Sequence, residues 1–274
     1  MYRVLACDMD GTILKDDKTI SQETIDELKR ITDEGVIFLP STGRTHRELP
    51  TAIRDLPFIH YALCCNGGAI YNYLEGKYIY EKTIPFDLTL EVLEYSKNLP
   101  LYAAVVVNGQ RIVTGDENDE ICEYVRKVAV PDILFNFIGA YDVKKAFEQK
   151  KQGAQKILFY VAEGYDRQSI QNDLSTRFPE LAVSTSGPLF IEVNIKGVDK
   201  GEALKDFCKL MNIPIEESIA FGDAQNDISM LKAAGMSVVT ANGTDETKKY
   251  ADMICPSNND DGVCKTIKEI WKNN

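Results

Sequence analysis

The chain opens on a short apolar run, residues 4–7, that stops at Asp8-Met9-Asp10 and turns at Gly11-Thr12. This predicts a buried strand that delivers two carboxylates to its own carboxyl end. Neighbouring like charges in a low-dielectric setting repel, so a cation has to offset them. Ser21 predicts an N-cap, Ile25, Leu28 and Ile31 follow at helical spacing, and Gly35 closes the helix. A second buried strand, 36–39, ends in Pro40-Ser41-Thr42-Gly43-Arg44. Strand, helix, strand implies a right-handed parallel crossover. A helix over 45–55 leads to a third apolar run, 61–65, which breaks at Asn66-Gly67-Gly68. Residues 69–73 and 77–80, joined through Glu75-Gly76, read as a hairpin. Three successive strands thus end in polar or glycine-rich turns, and an open α/β sheet forms its sites outside the carboxyl ends of its strands.

From about residue 83 to 188 the pattern changes. Asp87 opens a helix carrying Leu88, Val92 and Leu93, 101–107 is a strand, and Asn108-Gly109 is a two-residue hairpin signal into 110–114. Helices over 117–129, 142–151 and 166–177 and strands at 156–162 and 181–184 follow. Hairpins mixed with helices predict an α+β unit on an antiparallel sheet, inserted into the first domain, with Ile84-Pro85 and Ser186-Gly187-Pro188 as hinges. The α/β pattern then resumes with a strand at 190–195 and a helix capped by Asp199 that carries Leu204, Phe207, Cys208 and Met211. A strand at 218–221 ends in Gly222-Asp223-Ala224-Gln225-Asn226-Asp227. Helices over 227–234, 244–250 and 259–272 and strands at 237–240 and 253–255 complete the pattern, without internal repeats or low-complexity tracts.

Composition narrows the class. A length of 274 residues implies one large or two smaller domains, and 44% apolar with 27% charged residues is an ordinary soluble, globular make-up. No apolar run approaches the roughly 18 residues that span a membrane. The chain enters a strand at once, so a secretory signal is not expected. The seven scattered cysteines form no C-x-x-C pair and read as buried thiols in a reducing compartment, the cytoplasm. Two histidines, His46 and His60, are too few for a multi-histidine zinc site, and His46 is expected at the surface. The net charge of −11 argues against nucleic acid as a partner. It also means that an anionic substrate is drawn in by local positive charge only.

Asp8, Asp10 and Asp223 sit at the ends of predicted parallel strands and make a hard, oxygen-rich site that suits Mg²⁺. Such a metal offsets the carboxylate repulsion and neutralises an incoming phosphoryl group. One carboxylate can then attack phosphorus, and a second can protonate the leaving alcohol and later deprotonate water. Thr42, Gly43, Lys200 at a helix start, and Asn226 offer donors to phosphate oxygens. Each piece alone has an ordinary reading: an Asp-x-Asp pair is more often a solvated turn, and a lysine after a helix cap is usually solvated. The set carries the weight, because each motif but the lysine follows an apolar run and the four come in one order.

On these residues the chain resembles a haloacid dehalogenase superfamily phosphatase of the Cof type, with an α/β C2-type cap inserted after the second motif. The resemblance rests on Asp8-Met9-Asp10-Gly11-Thr12, Ser41-Thr42-Gly43-Arg44, Lys200 within Gly197-Val198-Asp199-Lys200-Gly201, and Gly222–Asp227, and it spans essentially the whole chain. It implies a Rossmann-like core with a parallel sheet and helices on both faces over about 1–83 and 189–274, and an inserted α+β cap over 84–188. It implies Asp8 as nucleophile and Mg²⁺ ligand, Asp10 as general acid/base and ligand through its backbone carbonyl, and Asp223 as the third protein ligand. Asp227 would act from behind these ligands. Thr42, Gly43, Lys200, Asn226 and the Met9 backbone would hold the phosphate, and Arg44 and Asn66 would line the pocket. One departure stands out: relatives commonly carry a Met-Gly-Asn-Ala-like turn where this chain has Val239-Thr240-Ala241-Asn242-Gly243-Thr244. That turn is expected near the substrate side, where it bears on the leaving group.

The implied activity is Mg²⁺-dependent hydrolysis of a small phosphorylated metabolite, a sugar phosphate or similar, through an aspartyl-phosphate. The protein is expected to act as a monomer or weak homo-oligomer, without nucleic acid or membrane. Cap side chains would choose the substrate, with Tyr102, Asn108, Arg111 and Tyr141 as polar or aromatic candidates. A sugar phosphomutase using the same chemistry is the alternative enzyme. A non-catalytic sensor of metal and phosphate is the alternative from another class, and the presence of both Asp8 and Asp10 counts against it.

Overall fold

The structure, a computed structural model, describes residues 2–114, 137–140, 142–162, 164–185 and 190–271. The helix expected over 117–129, Tyr141, Cys122 and the hinge at Ser186-Gly187-Pro188 lie outside the described residues. The chain divides into two compact units. One holds Met1–Gly43, Leu49–Tyr80 and Asp199–Asn274; the other holds Arg44–Glu48 and Glu81–Val198.

The first unit begins with β1 (Val4–Asp8), β2 (Ile37–Ser41), β3 (Tyr61–Cys64), β4 (Ala69–Asn72) and β5 (Lys77–Glu81). Every residue of β1 is buried, which is why it reads as an unbroken apolar run rather than an alternation. The crossover from β1 to β2 runs through the helix Gln22–Asp33. Ser21 Oγ caps it by accepting the Thr24 N–H, and at its end Gly35 (φ +93°) and Val36 donate to the carbonyls of Thr32 and Ile31. The helix expected over 45–55 is instead a 3₁₀ turn, His46–Glu48, and one short helix, Thr51–Arg54. Pro50 separates them, since it cannot donate within a helix and pushes Leu49 out of the helical region. His46 is buried there rather than exposed.

The second unit is built on β6 (Leu101–Val107), β7 (Gln110–Thr114), β8 (Phe137–Ala140), β9 (Lys156–Val161), β10 (Leu181–Ser184) and β11 (Phe190–Ile195). Their order in the sheet is β10-β11-β9-β6-β7-β8, antiparallel throughout except for the parallel β7–β8 pair. Asn108 and Gly109 both take positive φ, as a tight two-residue hairpin with right-handed strand twist requires. One face of the sheet, with Ala103, Val105, Ile112, Ile157 and Phe159, joins Val92, Phe147 and Leu174 of the helices Phe86–Ser96, Val143–Glu148 and Arg167–Arg177 in a common core. The sequence pattern assigns the strand at 190–195 to the resuming α/β core. It lies instead between β10 and β9 in this second sheet. Its own pattern explains this: Ile191 and Val193 alternate with Glu192 and Asn194, the period of a strand with one polar face.

The first unit is completed by β12 (Ser218–Gly222), β13 (Met236–Thr240) and β14 (Met253–Cys255). Among the described residues its sheet runs β14-β13-β12-β1-β2-β3-β4-β5, parallel from β14 to β3, with β4 antiparallel to β3. Val4 and Ala6 pack with Leu204, Phe207, Met230 and Leu231 of the helices Lys200–Leu210 and Ile228–Ala233. Alternation sends Leu5 and Cys7 to the opposite face. The helices Gln22–Asp33 and Gly262–Ile270 pack on each other and against β2 and β14, burying Leu28, Ile31, Val263 and Ile267. The architecture is thus an α/β core on a largely parallel sheet plus a second α+β unit. Cys7, Cys64, Cys65, Cys208, Cys255 and Cys264 are buried free thiols, and among the described residues no helix is long and apolar enough to cross a membrane.

Candidate active site

The centre of the sheet determines which side chains meet. β1 lies between β2 and β12, both parallel to it, with Asp8 level with Ser41 and Cys7 level with Phe221. The carboxyl ends of all three strands therefore share one edge, and the residues that follow them, Thr42 and Asp223, arrive beside Asp8.

Asp8, Asp223 and Asp227 each place a carboxylate oxygen within 4.8 Å of the others. Lys200 stands among them, fully buried. Its Nζ donates to Asp8 Oδ1 at 2.5 Å, to Asp227 Oδ1 at 2.6 Å and to the Ser41 carbonyl at 3.1 Å, which uses all three ammonium protons. Asp199 makes this placement possible by capping the helix, accepting the N–H groups of Gly201 and Glu202. The other oxygen of Asp227 accepts the backbone N–H of Asp223 and of Ala224, each at 3.0 Å. Asp227 thus ties the loop after β12 to Lys200. Thr12 Oγ1 donates to Asp223 Oδ1 at 2.7 Å.

The electrostatics follow from three carboxylates facing one ammonium. Burial and then the charge of Asp227 push the Asp8 carboxyl well above its usual range, against the pull of Lys200. Burial raises Asp223 to about 6, opposed by the Thr12 hydrogen bond. Burial disfavours the Lys200 ammonium, but Asp227 and Asp8 outweigh it and hold its pKa above that of an ordinary lysine. The cluster is short of positive charge and offers only hard oxygen donors, so it fits a divalent metal ion.

Asp10 is placed differently. Its side chain is partly exposed, and Lys18 Nζ lies 2.9 Å from Oδ1. Lys18 occupies a tight turn at φ +66°, where its N–H reaches the Lys15 carbonyl. Sequence reasoning missed Lys18 because no periodicity or motif links it to Asp10. The Met9 side chain is buried, and its carbonyl accepts the N–H groups of Thr12 and Leu14. Thr42 donates its N–H to Leu63 and accepts that of Asn66. Gly43 lies so close to Asn66 that an added Cβ would sit 2.9 Å from Oδ1. Asn226 Nδ2 donates to the same Asn66 oxygen at 3.3 Å. Thr42, Gly43, Asn66 and Asn226 are therefore brought together. Asn66 takes φ +55°, a conformation that asparagine tolerates better than most residues.

In the second unit, Arg44 is buried and donates to the Glu48 carbonyl. Glu48 is itself fully buried, accepts the Thr45 N–H, and forms a two-pronged ion pair with Arg111. Burial opposes the Arg111 charge, but Glu48 outweighs it and raises its pKa. Arg111, one of the polar cap candidates, has a structural role here as the partner of Glu48. Asn108 is an exposed turn residue, and Tyr102 pairs with Tyr160 across β6 and β9.

Residues 5–267 match the haloacid dehalogenase-like hydrolase family, and the chain belongs to it. Similar curated proteins include 5-amino-6-(5-phospho-D-ribitylamino)uracil phosphatase YitU of Bacillus subtilis, 26% identical over 273 residues, covering 98% of this chain and 97% of that protein. A second phosphatase of that name, YcsE of the same organism, is 28% identical over 270 residues, covering 97% and 94%. Among solved structures, TM0651 from Thermotoga maritima superimposes with a TM-score of 0.85 at 26% identity, covering 100% of this chain and 99% of that one. The protein is accordingly an enzyme, a phosphatase of this hydrolase family that acts on a phosphorylated substrate.

Proposed function

We propose that the protein hydrolyses a small phosphorylated metabolite in an Mg²⁺-dependent reaction, with the phosphoryl group carried transiently on Asp8. The observation that carries this reading is the buried cluster of Asp8, Asp223, Asp227 and Lys200 at the shared edge of β1, β2 and β12. Asp8, the Asp10 backbone carbonyl and Asp223 would hold Mg²⁺, which when bound supplies the positive charge that the carboxylates and the phosphoryl oxygens need. Lys200 fixes one oxygen of Asp8, leaving the other to attack phosphorus. As that bond forms and the bond to the leaving oxygen breaks, Asp10 gives its proton to the leaving alcohol. Water then attacks phosphorus, Asp10 takes its proton, and Asp8 is released. The Thr42 hydroxyl, the Gly43 and Met9 N–H groups and the Asn226 amide are the donors for phosphate oxygens, Lys200 adds its positive charge behind Asp8, and Asn66 lines the pocket. Asp227 keeps Lys200 and the Asp223 loop in register.

Two relatives are named for a phosphorylated ribityl compound. This supports a primary alcohol of a sugar or polyol as the leaving group here. The second unit takes the part of the cap that selects it, and the buried free thiols support a cytoplasmic setting. The test is phosphate release from a panel of phosphorylated sugars and polyols with Mg²⁺, with Asp8→Asn and chelator-treated protein as controls. Equal rates for Asp8→Asn and the wild type would overturn the mechanism.

A further inference from the structure

The turn after β13 carries a side chain that the proposed mechanism does not use. Asn242 donates from Nδ2 to the Gly11 carbonyl at 2.7 Å, and its Oδ1 accepts the backbone N–H of Asn258 at 3.0 Å. The second contact fixes which end of the amide is oxygen, so the first is a true donation. Thr240 Oγ1 supports the same carbonyl at 3.4 Å. From the same turn, the Thr244 N–H reaches the Asp223 carbonyl at 3.0 Å. Asn258 Nδ2 then donates to the Leu14 carbonyl and to Asp16 Oδ1, each at 3.0 Å. One short turn therefore holds both of the loops that follow β1 and β12.

Gly11 is where this restraint matters. Its φ is +86°, and a Cβ there would lie 2.6 Å from Asp223 Oδ2, so a larger residue does not fit. Glycine accepts both signs of φ, however, and its own sterics do not hold the peptide planes on either side. The plane before Gly11 contains the Asp10 carbonyl. A hydrogen bond from outside to the Gly11 carbonyl supplies the restraint that the backbone lacks.

We propose that Asn242 is a positioning residue that locks Gly11 and so sets the Asp10 carbonyl and carboxylate relative to Asp223. This rests on the roles proposed above for Asp10 and Asp223.

The experiment compares wild type, Asn242→Ala and Asn242→Asp. Asn242→Asp keeps the acceptor for Asn258 and loses the donor to Gly11. Steady-state kinetics with p-nitrophenyl phosphate are measured beside Tm with and without Mg²⁺. Both variants are expected to lower kcat about three- to tenfold, the scale of one lost hydrogen bond, while KM changes less than about twofold. Both are expected to need more Mg²⁺ for the same rise in Tm, with the metal-free Tm unchanged. A wild-type kcat and Mg²⁺ response in Asn242→Asp would overturn the proposal. So would a loss in Asn242→Ala that follows a fall in metal-free Tm. Should the wild type release no phosphate from any ester, the proposed function fails, and the Mg²⁺ dependence of Tm still decides the role of Asn242.

Discussion

Lys200 has no contact with solvent and three acceptors, two of them carboxylates. Replacing it with Met leaves Asp8 and Asp227 buried without their counter-charge. The expected cost is about 3–5 kcal/mol of stability, because a buried charge stripped of its partner keeps its desolvation penalty. Urea denaturation measures it. Asp227→Asn tests a different point. The amide oxygen can still accept the backbone N–H groups of Asp223 and Ala224, but the group that Lys200 meets no longer carries a charge and now presents a donor. A fall of about 10- to 100-fold in Mg²⁺ affinity is expected, as for residues that orient metal ligands, read from the Mg²⁺ concentration needed to raise Tm. Asp8 and Asp227 were legible because each lies inside a contiguous motif that follows an apolar run, and Lys200 because it stands in order between those motifs, just after the helix cap Asp199. Lys18, Glu48 with Arg111, and Asn242 were not. Their partners lie 8, 63 and 231 residues away, and nothing in local periodicity joins such pairs.

The elements divide in the same way. The strands of the first unit were readable because burial on both faces removes polar residues from them, as in β1 and in Ile219-Ala220-Phe221 of β12. β11 reads from the sequence as a strand of the first unit because an apolar run marks a strand without naming its neighbours; only the alternation of Glu192 and Asn194 points to the second sheet. The turn Arg44–Glu48 follows directly on Gly43 in the chain yet is held by Arg111 of β7. Arg111→Met would take from the buried Glu48 the guanidinium that meets its charge, and a loss of about 3–5 kcal/mol is expected. Adding Glu48→Met should recover most of it, because two apolar side chains can replace a buried ion pair. Chemical denaturation of the single and double variants checks this element, and a double variant no more stable than Arg111→Met would refute the account.

At the scale of the molecule, two dependences on solution conditions follow. The Cys208 and Cys255 thiols are each pushed up from 9.0 to about 11 by burial. Between these values the unfolded chain loses its thiol protons first, so the unfolded state binds fewer protons than the folded one. Stability is therefore expected to fall as pH rises from 9 through 11, and Cys208→Ala with Cys255→Ala should flatten that slope. Guanidinium melts at several pH values measure it. Mg²⁺ should act in the opposite direction: at about 100 times its Kd a ligand that binds only the folded state adds about 2.7 kcal/mol. The gain should vanish in Asp223→Asn.

The pairing of β1 with β12 also has a kinetic side. Val4 aligns with Ser218, so the strand that bears Asp8 gains its second neighbour only after most of the chain has been made. Until then β1 has one open edge, and Asp8 has neither Lys200 nor Asp223 beside it. Contacts this distant in sequence are closed late and slowly. During synthesis the chain must therefore carry its most costly carboxylate on an unfinished sheet, and the second unit, which closes on itself before residue 199, is the part able to fold first.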